Sequence, residues 1–424
     1  MQDKDKQEYT FISEQIRKKP FYRKQWFQRS VITLGLAVLF GGAAGVAFAV
    51  VKPWAENLFG TPEEPARIMV PQEPVEDAQE KPELITEIGE QESSGTDSAG
   101  EYIDISDYRE LYAQMAEVAM DATQSIVTVT GEVSDLDLFR EADERSIQCD
   151  GLIVAKNSSH IYISTEWETI SDAKKIMVSF RDGVTAEAKL QKKDSILGTA
   201  VIKVSLDSLP EQTAQDVAVA VLGNTGKIEA GMPVIAAGSP LGYSDSLAFG
   251  MITSVISLSV TDGQYGLLTT DMIGSDQGSG VLLNLDGDII GLIAQRFSGG
   301  DNDAMLCGLN INDLQESISD LSNDTTRAFL GLRGRDISDT VSAELDMPAG
   351  MFVREVMDGS PAMHAGVQKA DILTEIDGEE ITNVSDYVLA LRKCSPGDVV
   401  RLTIQRKSMD KYVSLDIDIA LGGR

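Results

Sequence analysis

The sequence predicts a mainly β protein that ends in a small α+β module and is carried on a membrane helix by a disordered linker. Three observations point there. Short runs, from SIVTVTG and GLIVA through HIYIST, IMVSF, AEAKLQ and AVIKV to MPVIAAG, AFGMITSVISLS, LLTTDM, GVLLNL and DIIGLIAQ, alternate with Gly and Asp turns. That is the pattern of an all-β barrel or sandwich. From Phe329 onward strands alternate with one short and one longer helical pattern, as in a small α+β unit. Near the start, an uncharged stretch over residues 30–51 separates a basic segment from an acidic one.

Composition limits the partners. The chain has 424 residues, enough for two or three domains, and its 42% apolar content can supply real cores. A net charge of −31 argues against nucleic acid and anionic lipid, which repel an acidic surface. Cys149, Cys307 and Cys394 are far apart and odd in number, so they give neither metal-ligand spacing nor a disulfide framework. No cofactor is implied. The only histidines are His160 and His364.

Residues 1–29 form a basic tail, with Arg17, Lys18, Lys19, Arg23, Lys24 and Arg29 just before the apolar run. Residues 30–51 are long enough for one membrane helix, and the flanking charge keeps the N-terminus cytoplasmic and the rest extracytoplasmic. A cleaved signal peptide is the competing reading, since Ala47-Phe48-Ala49 resembles a cleavage site. Residues 52–105, rich in Glu, Pro, Asp and Ser, cannot bury enough surface to fold. As a flexible coil this tether reaches roughly 40 Å. A helix follows, with Leu111, Met115, Val118, Ala119 and Ala122 on one face and Asp107 and Glu110 placed as its capping box. INDLQESISDL is a second helical segment, and it closes a domain over residues 106–322. The final module occupies residues 327–424.

One turn organises the β domain. In LLTTDMIGSDQGSGVLLN, a glycine-rich turn sits between two apolar runs. Such a turn can hold backbone N–H groups and a small side chain as a nucleophile with its oxyanion hole requires. It can equally be a hairpin whose glycines meet a positive φ.

Further residues carry a resemblance. Asp358-Gly359-Ser360-Pro361-Ala362, Ala365-Gly366-Val367, Asp371-Ile372-Leu373 and Ile376-Asp377-Gly378 resemble a PDZ domain, in particular that of the HtrA/Deg envelope proteases. GKIEAGMPVIAAGSPLGYSDSLAFGMITSV resembles a stretch of the second barrel in that family, and YISTEWETI, SILGTAVIKV and LLTTDMIGSDQGSGVLLN resemble its three triad segments. The resemblance spans about residues 107–424. It implies a chymotrypsin-like double β-barrel followed by a PDZ domain, and it admits a homo- or hetero-trimer. It also implies that Phe329, Leu330, Gly331 and Leu332 offer backbone N–H groups to a peptide's terminal carboxylate. Val384, Val388 and Leu391 share one helical face and either line the pocket for the last side chain or are ordinary core.

Register against the triad motifs puts Glu168 in the histidine slot, Gly198 in the aspartate slot and Gly278 in the serine slot, with Ser279 one place late. Without an imidazole nothing takes a serine proton at neutral pH, and a carboxylate near pKa 4 is a poor base unless burial raises it. Ser275 and Val281 replace the prolines that flank the family's nucleophile loop. His160 should lie about one strand length from the cleft, and His364 on an exposed turn. The expected protein is a membrane-anchored, extracytoplasmic HtrA-like pseudoprotease. It would bind C-terminal peptides or misfolded chains in envelope quality control or signalling. The alternative is an active endopeptidase that uses Ser279 in a rearranged site.

Overall fold

The computed structural model describes residues 104–134, 144–223, 227–299, 304–409 and 411–424, with Ile68 and Pro71 from the segment before them. The basic tail, the expected membrane helix and nearly all of the acidic linker lie outside the described residues. Among the described residues no helix is long and apolar enough to cross a membrane.

Helix α1 (Ile105–Ala122) begins earlier than the sequence suggests. Its capping box is Asp104 with Asp107, not Asp107 with Glu110: the Asp104 N–H donates to Asp107 Oδ2 at 2.8 Å, and the Asp104 side chain caps the first turn. The helix is bound by its C-terminal half. Met115, Val118, Ala119 and Ala122 pack on the barrels, whereas Leu111 is 50% exposed, against expectation. The first turns are exposed throughout, so a regular apolar spacing continues past the surface that it covers.

Six strands, β1 (Ile126–Ser134), β2 (Glu144–Lys156), β3 (His160–Glu166), β4 (Lys175–Ser179), β5 (Thr185–Asp194) and β6 (Thr199–Ser205), close a first barrel in the order β1-β2-β3-β6-β5-β4. A second has β7 (Pro233–Ser239), β8 (Ser246–Val260), β9 (Gly263–Ile273), β10 (Ser279–Leu283), β11 (Ile289–Ile293) and β12 (Met305–Asn310), in the order β10-β11-β12-β9-β8-β7. Eleven strands follow the runs read from the sequence. The twelfth, β12, was not among them, and it closes the second barrel between β11 and β9.

The strands nearest the domain boundary are apolar on both faces, which is why they read as continuous runs rather than alternations. In β3, Ile161 and Ile163 fill the first barrel with Val129, Val178 and Ile202. Tyr162 points the other way, into a layer between the barrels with Leu152, Val201, Ile235 and Leu283. Helix α2 (Ile311–Ser322), capped by Asn310, adds Ile311, Leu314, Ile318 and Leu321 to the same layer. Each of these fully buried aliphatic side chains contributes roughly 1.5–3 kcal/mol.

The C-terminal module is a meander of β13 (Leu332–Asp336), β14 (Met351–Val356), β15 (Ile372–Ile376), β16 (Val399–Ser408) and β17 (Lys411–Ala420), with helix α3 (Val384–Arg392) packed on it. Strand β13 is an edge strand, paired only with β14 in this sheet. Asp371 accepts two hydrogen bonds from the Arg406 guanidinium, each 2.7 Å long. This module packs closely against the barrels, and residues 67–424 cluster together by contact.

Candidate functional site

Of the three positions expected to match the triad, Glu168 and Gly198 line one cavity together with Gln277 and Ser279, the neighbours of Gly278 in the chain. At the end of β3, the Trp167 N–H donates to the Gly198 carbonyl at 2.8 Å, which sets Glu168 beside the turn that opens β6. Gly198 has φ +71°, and a Cβ there would lie 1.7 Å from Arg296 Nη1. The guanidinium therefore occupies the space that a side chain at 198 would need. Arg296, in the 3-10 turn after β11, makes an ion pair with Glu168 at 3.1 Å. An exposed Glu–Arg pair thus lies across positions 168 and 198, the expected histidine and aspartate slots.

The nucleophile turn is closed as well. The Gly278 N–H donates to the Ser275 carbonyl at 2.7 Å, and the Ser275 N–H to the Pro240 carbonyl at 3.1 Å. The Gly278 N–H is thus engaged within its own turn. A Cβ at 278 would lie 2.6 Å from the Pro240 oxygen and 2.8 Å from the Ser275 oxygen.

Ser279 opens β10 and is only 1% exposed. Its hydroxyl accepts the Asp150 N–H at 2.8 Å and donates to Asp150 Oδ2 at 3.2 Å. Ser239 Oγ donates to the other oxygen, Oδ1, at 3.1 Å. Burial raises the Asp150 carboxyl above its ordinary range, and the two serine hydroxyls pull it back in part. Asp150 links the barrels and was missed at the sequence level. Its signal was a lone charge heading the apolar run GLIVA.

These groups border a cavity of about 480 Å³ whose lining includes Asp150, Glu166, Leu197, Ser279 and Gln295. Glu166 is pushed up to about 7, chiefly by burial; Thr169 Oγ1, donating at 3.2 Å, acts against this. Cys149 and Cys307 are buried as expected, and burial pushes their thiols up to about 12 and about 11. His160 begins β3, about 20 Å of strand from Glu166. His364 lies on the short helix Pro361–His364 of the C-terminal module. Among the described residues no cluster of His, Cys, Asp or Glu is arranged to hold a metal.

The loop expected to receive a carboxylate holds one from this chain. The N–H groups of Leu330 and Gly331 donate to Asp262 Oδ2, both at 2.8 Å, and that of Leu332 to Asp262 Oδ1 at 2.9 Å. The Tyr387 hydroxyl donates to the same carboxylate. Burial first, and the Asp262 charge next, push the Tyr387 phenol well above its ordinary value. Val384, Val388 and Leu391 are buried under the loop in the module's core, and Phe329 pairs with Gly422 just before it.

Two closed six-strand barrels with a cleft between them, followed by this module, define a protein of the trypsin-like peptidase fold joined to a PDZ domain. Residues 149–292 match the trypsin-like peptidase domain family and residues 352–406 the PDZ domain family. The "Probable periplasmic serine endoprotease DegP-like" of Halomonas elongata is 28% identical over 284 residues, covering 65% of this chain and 57% of that one. The "Serine protease Do-like HtrA" of Bacillus subtilis is 28% identical over 334 residues, covering 72% and 73%. In structure, "HtrA-type protease AlgW with decapeptide" superposes with a TM-score of 0.54 at 18% identity, over 73% of this chain and 98% of that one. The chain thus spans little more than half of some of the relatives it matches. Together these likenesses support the HtrA/DegP family as the one to which it is related.

Proposed function

We propose that this chain is an extracytoplasmic HtrA-like protein that binds other chains and does not cut them. The observation that supports this most is the Glu168–Arg296 pair closed over Gly198, because it takes the place of both base and orienting group. A hydrolase of this type needs a hydroxyl, a base beside it and donors at the oxyanion. Here the base position is ion-paired and the N–H of Gly278 is spent inside its turn. The PDZ loop at Phe329–Leu332 is the binding element, and its ligands are C-terminal peptides or misfolded chains with a free carboxylate. Residues 30–51 anchor the protein and residues 52–105 hold its folded part away from the membrane. Alkaline carbonate extraction should therefore leave the full chain with the membranes. Recovery in the soluble fraction would remove the anchor from this reading.

The rival reading keeps Ser279 as nucleophile, and its hydrogen bond to the Asp150 carboxylate is the observation in its favour. Both readings meet one experiment. Full-length wild type and Ser279→Ala are incubated with unfolded casein and with a serine-reactive fluorophosphonate probe. We expect no cleavage and no labelling of either protein. Labelling or cleavage that disappears with Ser279→Ala would establish the rival.

A further inference from the structure

The turn between β8 and β9 enters the PDZ module in the manner of a bound peptide. Asp262 sits at its tip with φ +53°, a left-handed conformation that Asp tolerates better than most residues. Three successive N–H groups of the loop hold its side-chain carboxylate, and its own N–H donates to the Leu332 carbonyl at 2.9 Å. Behind it the same segment follows the free edge of β13. Ser259 Oγ donates to the Gly334 carbonyl at 2.8 Å, and Arg333 Nε to the Ser259 carbonyl at 2.9 Å. Arg424 Nη1 holds the turn from the other side through the Thr261 carbonyl at 3.2 Å, and Arg392 of α3 pairs with Glu316 of α2 at 2.8 Å beside it.

We propose that Asp262 is an internal ligand of the PDZ loop, its side chain standing where the terminal carboxylate of a bound chain would stand. The inference rests on the reading above, that this loop takes C-terminal carboxylates. An aspartate side chain and a chain terminus present the same planar anion, so the loop's donors serve either but not both at once. Asp262 is 6% exposed, and its carboxylate receives the three N–H groups and the Tyr387 hydroxyl, leaving no vacant donor for a second anion. Being part of the same chain, it competes at a high effective concentration. A peptide binds only to the fraction of molecules in which the turn has released the loop, and its apparent affinity falls by that fraction. The PDZ site is thus autoinhibited by the barrel domain, and its ligands are chains able to displace an aspartate.

The test uses the full-length chain as wild type, Asp262→Ala and Asp262→Asn. The probe is a fluorescein-labelled decapeptide pool ending in valine, with free or amidated C-termini. Hydrogen exchange at the amides of residues 330–332 is followed in parallel. Asp262→Ala should bind the free-acid pool at least about tenfold more tightly than wild type, since the occluded fraction is freed. It should not gain affinity for the amidated pool, and the three amides should exchange faster. Asp262→Asn keeps the shape and one acceptor and should fall between, so it answers if the alanine variant fails to fold. Wild type binding as tightly as both variants, or unchanged exchange at 330–332, would overturn the internal ligand. Faster exchange with no peptide bound by any variant would uphold the internal ligand and sink the carboxylate-binding reading on which the affinity gain depends.

Discussion

Placing a serine at position 278 should destabilise the protein by about 3 kcal/mol, at the upper end of what overpacking a tight site costs, and should bring no hydrolysis. The new Cβ would meet two backbone oxygens, of Pro240 and Ser275, at 2.6 and 2.8 Å. Neither is the flexible end of a side chain. Both belong to the hydrogen bonds that shape the turn, from Gly278 to Ser275 and from Ser275 to Pro240, so relief means breaking one of them. The full set Glu168→His, Gly198→Asp and Gly278→Ser should do worse. A side chain at 198 adds backbone strain at φ +71° and collides with the Arg296 guanidinium. Urea unfolding of each variant beside wild type, with a casein assay on the folded ones, measures both parts. A Gly278→Ser protein as stable as wild type would show that the turn relaxes easily and would reopen the position as a nucleophile slot.

That expectation shows which parts of the site were legible in the sequence. The expected slots at 168, 198 and 278 rest on register alone, each lying beside an apolar strand. Strands buried on both faces, such as HIYISTE, give long apolar signals. β12, MLCGLN, is short and interrupted by Cys and Gly, and it pairs with β9 and β11 rather than following a recognisable turn. What fills the slots was not legible. Arg296 comes to Gly198 from a different barrel, and Asp150 meets Ser279 across 129 residues of chain. Asp262 reaches the PDZ loop from 68 residues upstream, out of an Asp-Gly turn that by itself reads as an ordinary hairpin. Side chains that close a site from a distance leave no local period. A lone charge heading the apolar run GLIVA was the only trace of Asp150.

Wild type should lose stability as pH rises from 4.5 toward 7, and Glu166→Gln should remove most of that loss. The direction follows from proton counting. Burial holds the Glu166 carboxyl at about 7 in the folded chain, against an ordinary value of 4.5. Between those values the unfolded chain releases the proton and the folded chain keeps it, so the folded state binds more protons and stability falls with pH. Below 4.5 both states are protonated and the favourable contribution is complete. Above 7 it is gone, and the gap between the two values amounts to about 3 kcal/mol. Asp150, also raised by burial, adds to the slope in the same direction. Urea unfolding at pH 4.5, 6 and 8 should therefore find Glu166→Gln close to wild type at the first pH and up to about 3 kcal/mol more stable at the last. An unchanged slope would mean that water reaches the cavity freely and that the carboxyl ionises as it does in solution. The same variant bears on chemistry, because a carboxyl titrating near 7 is suited to proton transfer at neutral pH. A hydrolytic rate that rises through pH 7 in wild type and vanishes in Glu166→Gln would identify Glu166 as the base that the Ser279 reading lacks. We expect a cavity whose titration changes stability alone, since the Ser279 hydroxyl is already engaged with Asp150.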